Sequence, residues 1–268
     1  MAAIGGEEQV LCDLRPTPHG SIAVVTLNRP DHLNPLDAET VTKFRAQIDD
    51  LAADPSVRAV VVTGAPPAFS AGGDLRRYLD LYRDKAAFRA FLEDIHAAFN
   101  QLERSRLLSI AAVNGTCVAG GFELALSCDL IVMARGARMG DGHLHFWQLP
   151  GGGGTQRLPR AVGFARAKRL LFSAELFEAD AWLSMGVAAA VFESDTFLEE
   201  ACALAEKVIE VPEDTILRLK KLLIAAAERP LHEGLAAEID EVVAYATESS
   251  GAAYEGLLRF AERRSSDR

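Results

Sequence analysis

Glu123 follows a glycine pair, Gly120-Gly121, inside the stretch Ile110–Asp129, IAAVNGTCVAGGFELALSCD. A carboxylate can carry a proton. A glycine pair at a helix start leaves backbone N–H groups unpaired and lets a ligand approach them closely. The positive end of the helix dipole points to the same place. Backbone donors beside one acid/base group suit chemistry at a carbonyl, where the donors hold the developing oxyanion. A second loop of small residues, Gly64–Leu75 (GAPPAFSAGGDL), also ends at a helix start. Alone it reads first as a tight connection needing glycine torsions, and second as a source of another backbone donor. Further on, His143–Pro150 (HLHFWQLP) holds two of the six histidines and one of the two tryptophans. Four glycines, Gly151–Gly154, then lead into a helix start. No GKS or GKT follows them and no GxGxxG lies between a strand and a helix, so both nucleotide-loop readings fail.

The elements that must position these groups alternate. Ile22–Leu27 and Val57–Thr63 are β-branched runs bounded by turn residues and read as buried strands, as does Leu130–Ala134. Residues 1–19 read as a loose leader with a strand over Gln9–Leu14. Asp37 is the expected N-cap of a helix running to Ala53, where Asp54-Pro55 stops it. Tyr78–Arg104 reads as a long amphipathic helical region interrupted near Asp84, with Arg76, Arg77, Arg83, Lys85 and Arg89 on a solvated face. Arg138–Gly142 is short and turns at Gly140-Asp141-Gly142. Helices are expected over Ala165–Phe172, Ala179–Met185 and Phe197–Ile209, with a short strand at Val187–Phe192. From Pro212 the pattern is helical throughout: Glu213–Glu228, Leu231–Glu248 and Ala252–Arg264. An α/β core, residues 1–195, followed by a helical C-terminal region, residues 196–268, is the fold class this order predicts. Apolar-rich terminal helices without a sheet of their own point to packing on a neighbouring subunit.

The net charge is −10, the opposite of what a nucleic-acid or anionic-membrane binder carries. An anionic small ligand would need a local basic patch. Cys12, Cys117, Cys128 and Cys202 are scattered without a CxxC pair, which reads as reduced thiols of a cytoplasmic protein and not as a disulfide frame or zinc site. The opening MAAIGGEEQV lacks the basic residue and apolar core of a signal peptide. No apolar run approaches the roughly 20 residues needed to cross a bilayer.

Five stretches together resemble the crotonase superfamily, also called the enoyl-CoA hydratase/isomerase family. They are Thr26–Asp37 (TLNRPDHLNPLD), Ala68–Leu75 (AFSAGGDL), Ala111–Asp129 (AAVNGTCVAGGFELALSCD), Leu149–Gly163 (LPGGGGTQRLPRAVG) and Glu255–Arg264 (EGLLRFAERR). They occur in family order and span nearly the whole chain. The resemblance implies a core of repeated ββα units, a helical trimerisation region, and trimers that pair into hexamers. It implies an acyl-CoA thioester as substrate, with coenzyme A as part of that substrate, and no separate cofactor or metal. Two backbone N–H groups would form an oxyanion hole around the thioester oxygen, assigned to Ala71 and Gly120. Family hydratases use two glutamates. One matches Glu123; the other position, seven residues before Pro150, holds His143. Histidine can still donate and accept protons near neutral pH, but it is cationic when protonated. His143 is therefore either the proton partner of Glu123 or a loop residue in a site that uses Glu123 alone. Asp141 and His145 flank it and are expected at the surface or behind it.

For the coenzyme A moiety and acyl chain, the resemblance and its neighbours nominate Arg29, His32, Leu33, Ser70, Gly72, Asp74, Leu75, Gly121, Trp147 and Phe260. Asp31 stands where a family lysine often lies, leaving Arg29, Arg263 and Arg264 as candidate phosphate partners. The acyl pocket is expected to draw on Tyr78–Phe91 and Phe146-Trp147. The leading function is hydration of a 2-enoyl-CoA, or isomerisation of one. The alternatives are a decarboxylase or a hydrolase of the carbon–carbon bond in a β-diketone, using His143 and Asp141, and a non-catalytic acyl-CoA-binding member.

Overall fold

The computed structural model describes residues 8–248 and 251–266. The chain divides into two units, Met1–Lys207 and Val208–Arg268. The first contains, in order, β1 (Val10–Thr17), β2 (Gly20–Leu27), α1 (Ala38–Ala53), β3 (Val57–Gly64), β4 (Ala68–Ser70), α2 (Leu75–Leu81) and α3 (Lys85–Arg104). There follow β5 (Leu108–Val113), β6 (Thr116–Val118), α4 (Gly120–Ala125), β7 (Leu130–Ala134), β8 (Arg138–Gly140), α5 (Gly154–Val162) and α6 (Phe164–Ser173). Last come β9 (Phe177–Glu178), α7 (Ala179–Ser184), β10 (Ala190–Phe192) and α8 (Phe197–Ile209), which runs to the unit boundary. The helical unit holds α9 (Glu213–Glu228), α10 (Leu231–Glu248) and α11 (Ala252–Ser266).

A six-stranded sheet runs in the order β1-β2-β3-β5-β7-β10. β1 is antiparallel to β2; every other pair is parallel. VRAVVVT and LSIAAV are almost continuously buried because a parallel sheet is covered on both faces. The strand expected over Gln9–Leu14 is a full edge strand, Val10–Thr17, paired residue for residue from Val10–Leu27 to Thr17–Gly20. The long helical region breaks at Tyr82–Asp84, and Asp84 caps α3 through the amides of Ala86 and Ala87. Asp37 caps α1 through the Thr40 amide as expected.

A second, smaller sheet, β4-β6-β8-β9, is absent from the sequence reading because its strands are only two or three residues long. It gives the architecture its logic. Three times a strand of the large sheet is followed, across a short corner, by a strand of the small one: β3 then β4, β5 then β6, β7 then β8. β4, β6 and β8 are neighbours and parallel, so their C-terminal ends emerge side by side. Gly73 follows the first, Gly120 the second and Asp141 the third.

Asn34 fixes the first of these ends. It is 1% exposed, and its amide donates to the carbonyls of Ala65 and Ala68, both at 2.8 Å. Its own side-chain oxygen accepts the Arg29 amide at 2.9 Å. Asn34→Ala strands these buried groups and is expected to lower the unfolding free energy by about 2–3 kcal/mol, read from urea denaturation. In the helical unit, Arg218 of α9 pairs with Asp214 at 2.9 Å and reaches Glu241 of α10 at 2.6 Å. Thr215 and Tyr245 hydrogen bond across the same pair of helices at 2.7 Å.

Candidate active site

Glu123 lies one turn into α4 and is 2% exposed. Phe122, its neighbour, anchors the helix by packing its ring 5.4 Å from that of Trp182. Trp182 in turn donates its indole N–H to the Met139 carbonyl on β8, at 2.8 Å. Glu123 Oε1 accepts the amides of Gly152 and Gly154, each at 2.8 Å. The four-glycine run is thus a clamp on a carboxylate. A Cβ on Gly152 would stand 2.8 Å from Oε2, and one on Gly154 would stand 3.1 Å from Oε1. Only glycine lets both amides close on the acid. Arg157 braces the clamp, donating to the Gly152 carbonyl at 3.1 Å while paired with Glu103 at 2.8 Å. Gly154→Ala is expected to displace Glu123 and lower kcat about 10²-fold with little change in KM, as steady-state kinetics would read.

With Oε1 held, Oε2 faces His143, whose Nε2 is 4.0 Å away. His143 sits just after β8, in a single 3-10 turn His143–Phe146. Its Nδ1 is 3.0 Å from Asp141 Oδ2, and its backbone amide donates to Asp141 Oδ1 at 3.2 Å. Asp141 is 2% exposed and takes the second of the two places expected for it, behind His143 and not at the surface. Its backbone carbonyl accepts the Ala119 amide at 2.9 Å, tying β8 to the turn before α4. The imidazole is thereby aimed, with Nδ1 toward Asp141 and Nε2 toward Glu123. Burial raises the Glu123 carboxyl, against the lowering pull of the Gly154 amide, His143 and the Gly152 amide. For His143 burial acts downward, but the hydrogen bond and charge of Asp141, with Glu123, carry it above the ordinary histidine value.

Two glycines with open backbone amides line the same cavity as this pair. Ala119 adopts φ 52°, ψ −121°, a strained turn for a residue with a side chain, and it presents the Gly120 amide at the first position of α4. The expected second donor, Ala71, is corrected: its amide donates to the Leu33 carbonyl at 2.8 Å. The open amide of that loop is Gly73, two residues on, which donates to no group among the described residues. It lies 3.6 Å from where a Gly120 Cβ would stand, so the two amides are neighbours. AFSAGGDL does not tell the two positions apart. What separates them is the αL turn at Leu33, φ 59°, which turns a carbonyl onto Ala71.

A cavity of about 500 Å³ opens beside these groups, bordered by Ala71, Gly73, Gly120, Glu123 and His143. Leu75, Tyr78, Phe88, Leu92, Ile95 and Phe99 supply an apolar wall. Trp147, 92% exposed, stands at the rim.

The other nominated residues divide. Ser70 is fully buried and structural: its hydroxyl donates to the Asn34 carbonyl at 2.8 Å and accepts the Gly72 amide at 3.1 Å. Gly121 packs against Ser70, whose Cβ would be 2.7 Å from an added Cβ. Asp74 caps α2. Gly72 accepts the Leu36 amide through its carbonyl at 2.8 Å. Arg29 is not held for a phosphate; its guanidinium pairs with Asp37. His32, Leu33 and His145 are exposed and do not border the cavity. Phe260 belongs to the helical unit and is 59% exposed. The side chains of Arg263 and Arg264 lie outside the described residues.

A family model described as enoyl-CoA hydratase/isomerase matches residues 17–267. The chain belongs to the enoyl-CoA hydratase/isomerase family. The probable enoyl-CoA hydratase echA8 of Mycobacterium tuberculosis is 34% identical over 245 residues, covering 91% of this chain and 92% of the relative. The mitochondrial methylglutaconyl-CoA hydratase of Rattus norvegicus is 34% identical, with 91% and 78% covered. Among solved structures, an enoyl-CoA hydratase from Bacillus anthracis superposes with a TM-score of 0.87 at 28% identity, covering 96% of this chain and 97% of that one. Pseudomonas aeruginosa DspI superposes with a TM-score of 0.86 at 33% identity and 98% coverage of both chains. Membership makes this chain an enzyme of the hydro-lyase or isomerase type, on a crotonase fold. Among the described residues no helix is long and apolar enough to cross a membrane.

Proposed function

We propose that this enzyme hydrates a 2-enoyl-CoA thioester, with Glu123 and His143 as its acid/base pair. The observation that carries the reading is the 4.0 Å gap between Glu123 Oε2 and His143 Nε2, beside two open amides. The gap is too long for a direct hydrogen bond. A water about 2.8 Å from each, an ordinary hydrogen-bond length, fits to one side of the line between them. Glu123 takes a proton from that water as its oxygen bonds to the substrate β-carbon. The π electrons move to the thioester oxygen, where the Gly73 and Gly120 amides hold the enolate. The enolate α-carbon then takes the proton of His143 Nε2. Proton return from Glu123 to His143 resets the pair, and the reverse sequence eliminates water.

Asp141 is the positioning residue in this scheme. It fixes the histidine tautomer and supports the imidazolium, as buried acids behind catalytic histidines do. That same dyad favours one second reading: His143 as base toward a water that cleaves a β-diketone. The name hydratase on the relatives, and the second acid group at Glu123, support hydration over it. The test is loss of the conjugated-thioester absorbance on adding short and medium enoyl-CoA substrates. No turnover at any chain length, together with cleavage of a cyclic β-diketone lacking coenzyme A, would move the assignment.

The helical unit supports a trimer or hexamer as the working form. Leu219 and Leu223 on α9, and Leu231, Leu235 and Ile239 on α10, recur at helical spacing and are exposed.

A further inference from the structure

A second cavity, of about 350 Å³, lies beside α2, walled by Ala38, Leu81 and Phe91 with the carboxylates of Asp74 and Asp80. Among the described residues only Tyr78 borders both this cavity and the catalytic one. Three rings hold Tyr78 in place: Tyr82 and Phe91 at 5.8 Å and Phe88 at 5.9 Å between centroids. Its hydroxyl rests over the donor loop, since a Cβ on Gly73 would lie 2.2 Å from it. Burial, then the charge of Glu123, pushes the phenol up to about 12, so it stays neutral over any working pH.

Ile95 and Phe99 are buried in the α3 wall, and Tyr78 borders both cavities. Phe146, Trp147 and Leu149 also border the catalytic cavity and are exposed. An apolar tail lying on the buried α3 wall, with the thioester oxygen at Gly73 and Gly120, meets the Tyr78 ring. We propose that the Tyr78 ring sets the depth of the acyl pocket, closing the catalytic cavity off from the second one and restricting the enzyme to short and medium neutral acyl groups. This deepens, and rests on, the reading of the site as one for acyl-CoA thioesters. Among the described residues no lysine or arginine borders the catalytic cavity, and the one cationic group there, His143, is already paired with Asp141, so a tail ending in a carboxylate would find no free counter-charge.

The experiment compares wild type with Tyr78→Ala, Tyr78→Leu and Tyr78→Phe. Two quantities are measured over acyl chains of four to twelve carbons: kcat/KM for trans-2-enoyl-CoA, and the affinity of the saturated acyl-CoA by calorimetry. Each methylene admitted to an apolar pocket is worth about tenfold or more in discrimination. The ratio of long-chain to short-chain kcat/KM should therefore rise at least about tenfold in Tyr78→Ala, and less in Tyr78→Leu. Tyr78→Phe keeps the ring and should keep the wild-type ratio. If Tyr78→Ala fails to fold, Tyr78→Leu reads the same ratio. A ratio unchanged when the ring is removed overturns the proposal, as does a shift in Tyr78→Phe equal to that in Tyr78→Ala. Should wild type bind the saturated series without hydrating any enoyl-CoA, the hydration reading fails, and the affinity ratios decide the role of Tyr78 by the same criteria. Failure to bind any acyl-CoA overturns both.

Discussion

Glu123→Gln is expected to cut kcat for enoyl-CoA hydration about 10³-fold while KM changes little, because a general base acts in the transition state and not in ground-state binding. Glutamine is nearly isosteric. Its carbonyl oxygen can keep the Gly152 and Gly154 amides that Oε1 accepts now, so the clamp and the fold survive. Only the capacity to take a proton is lost. The same substitution makes a prediction about stability. Burial first of all holds the Glu123 carboxyl above its ordinary value. The folded state thus binds this proton more tightly than the unfolded chain. The stabilisation it brings is complete below the unfolded value and is lost as pH rises through the folded one. Ionised as the base the scheme requires, Glu123 no longer brings that stabilisation, whereas glutamine has no charge to bury. Glu123→Gln should melt higher than wild type at neutral pH, and the two melting temperatures should converge in acid. Wild-type kcat in Glu123→Gln would remove Glu123 from the chemistry altogether.

The sequence made the large sheet legible, and one half of the site. VRAVVVT and LIVMA announce buried strands by composition, and GGFEL announces a helix with an acid in its first turn. What stayed hidden depends on residues distant in sequence. The small sheet is built from strands too short to show a period, yet it brings Gly73, Gly120 and Asp141 side by side. Four glycines looked like a failed phosphate loop; their purpose appears only when Glu123, some thirty residues earlier, meets the Gly152 and Gly154 amides. Ala71 and Gly73 differ only in which amide the Leu33 carbonyl takes, a matter of backbone torsion that no residue type encodes. Tyr78 opens the stretch expected to line the acyl pocket, and only the two cavities it borders single it out within that stretch. The ββ units repeat in space but not as a sequence repeat. Their connecting segments differ in length, and each carries a different part of the site.

Asp141→Asn should move the alkaline limb of the kcat/KM profile to lower pH. Burial alone would keep His143 below the ordinary histidine value, and the hydrogen bond and charge of Asp141 are the leading effects that reverse it. Asparagine keeps one acceptor, so it can still receive Nδ1–H at the present 3.0 Å, but it carries no charge and cannot also accept the His143 amide as Asp141 Oδ1 does. The imidazolium then loses its proton earlier. Since the scheme needs that proton for the substrate α-carbon, kcat/KM should fall about 10²-fold at mildly alkaline pH and much less at mildly acid pH. Stability follows the same sign. A histidine held above its unfolded value stabilises the fold below that value, and the contribution disappears as pH rises through the folded one. The stability gap between wild type and Asp141→Asn should therefore be widest in acid and shrink toward alkaline pH. The neighbours that set this behaviour are Asp141 behind the ring and Glu123 in front of it. A double-mutant cycle separates positioning from packing: in a His143→Ala background, Asp141→Asn should cost no further activity, since it acts only through the ring. An unmoved alkaline limb, or additive losses in the cycle, would mean that His143 works without Asp141 or does not deliver the proton at all.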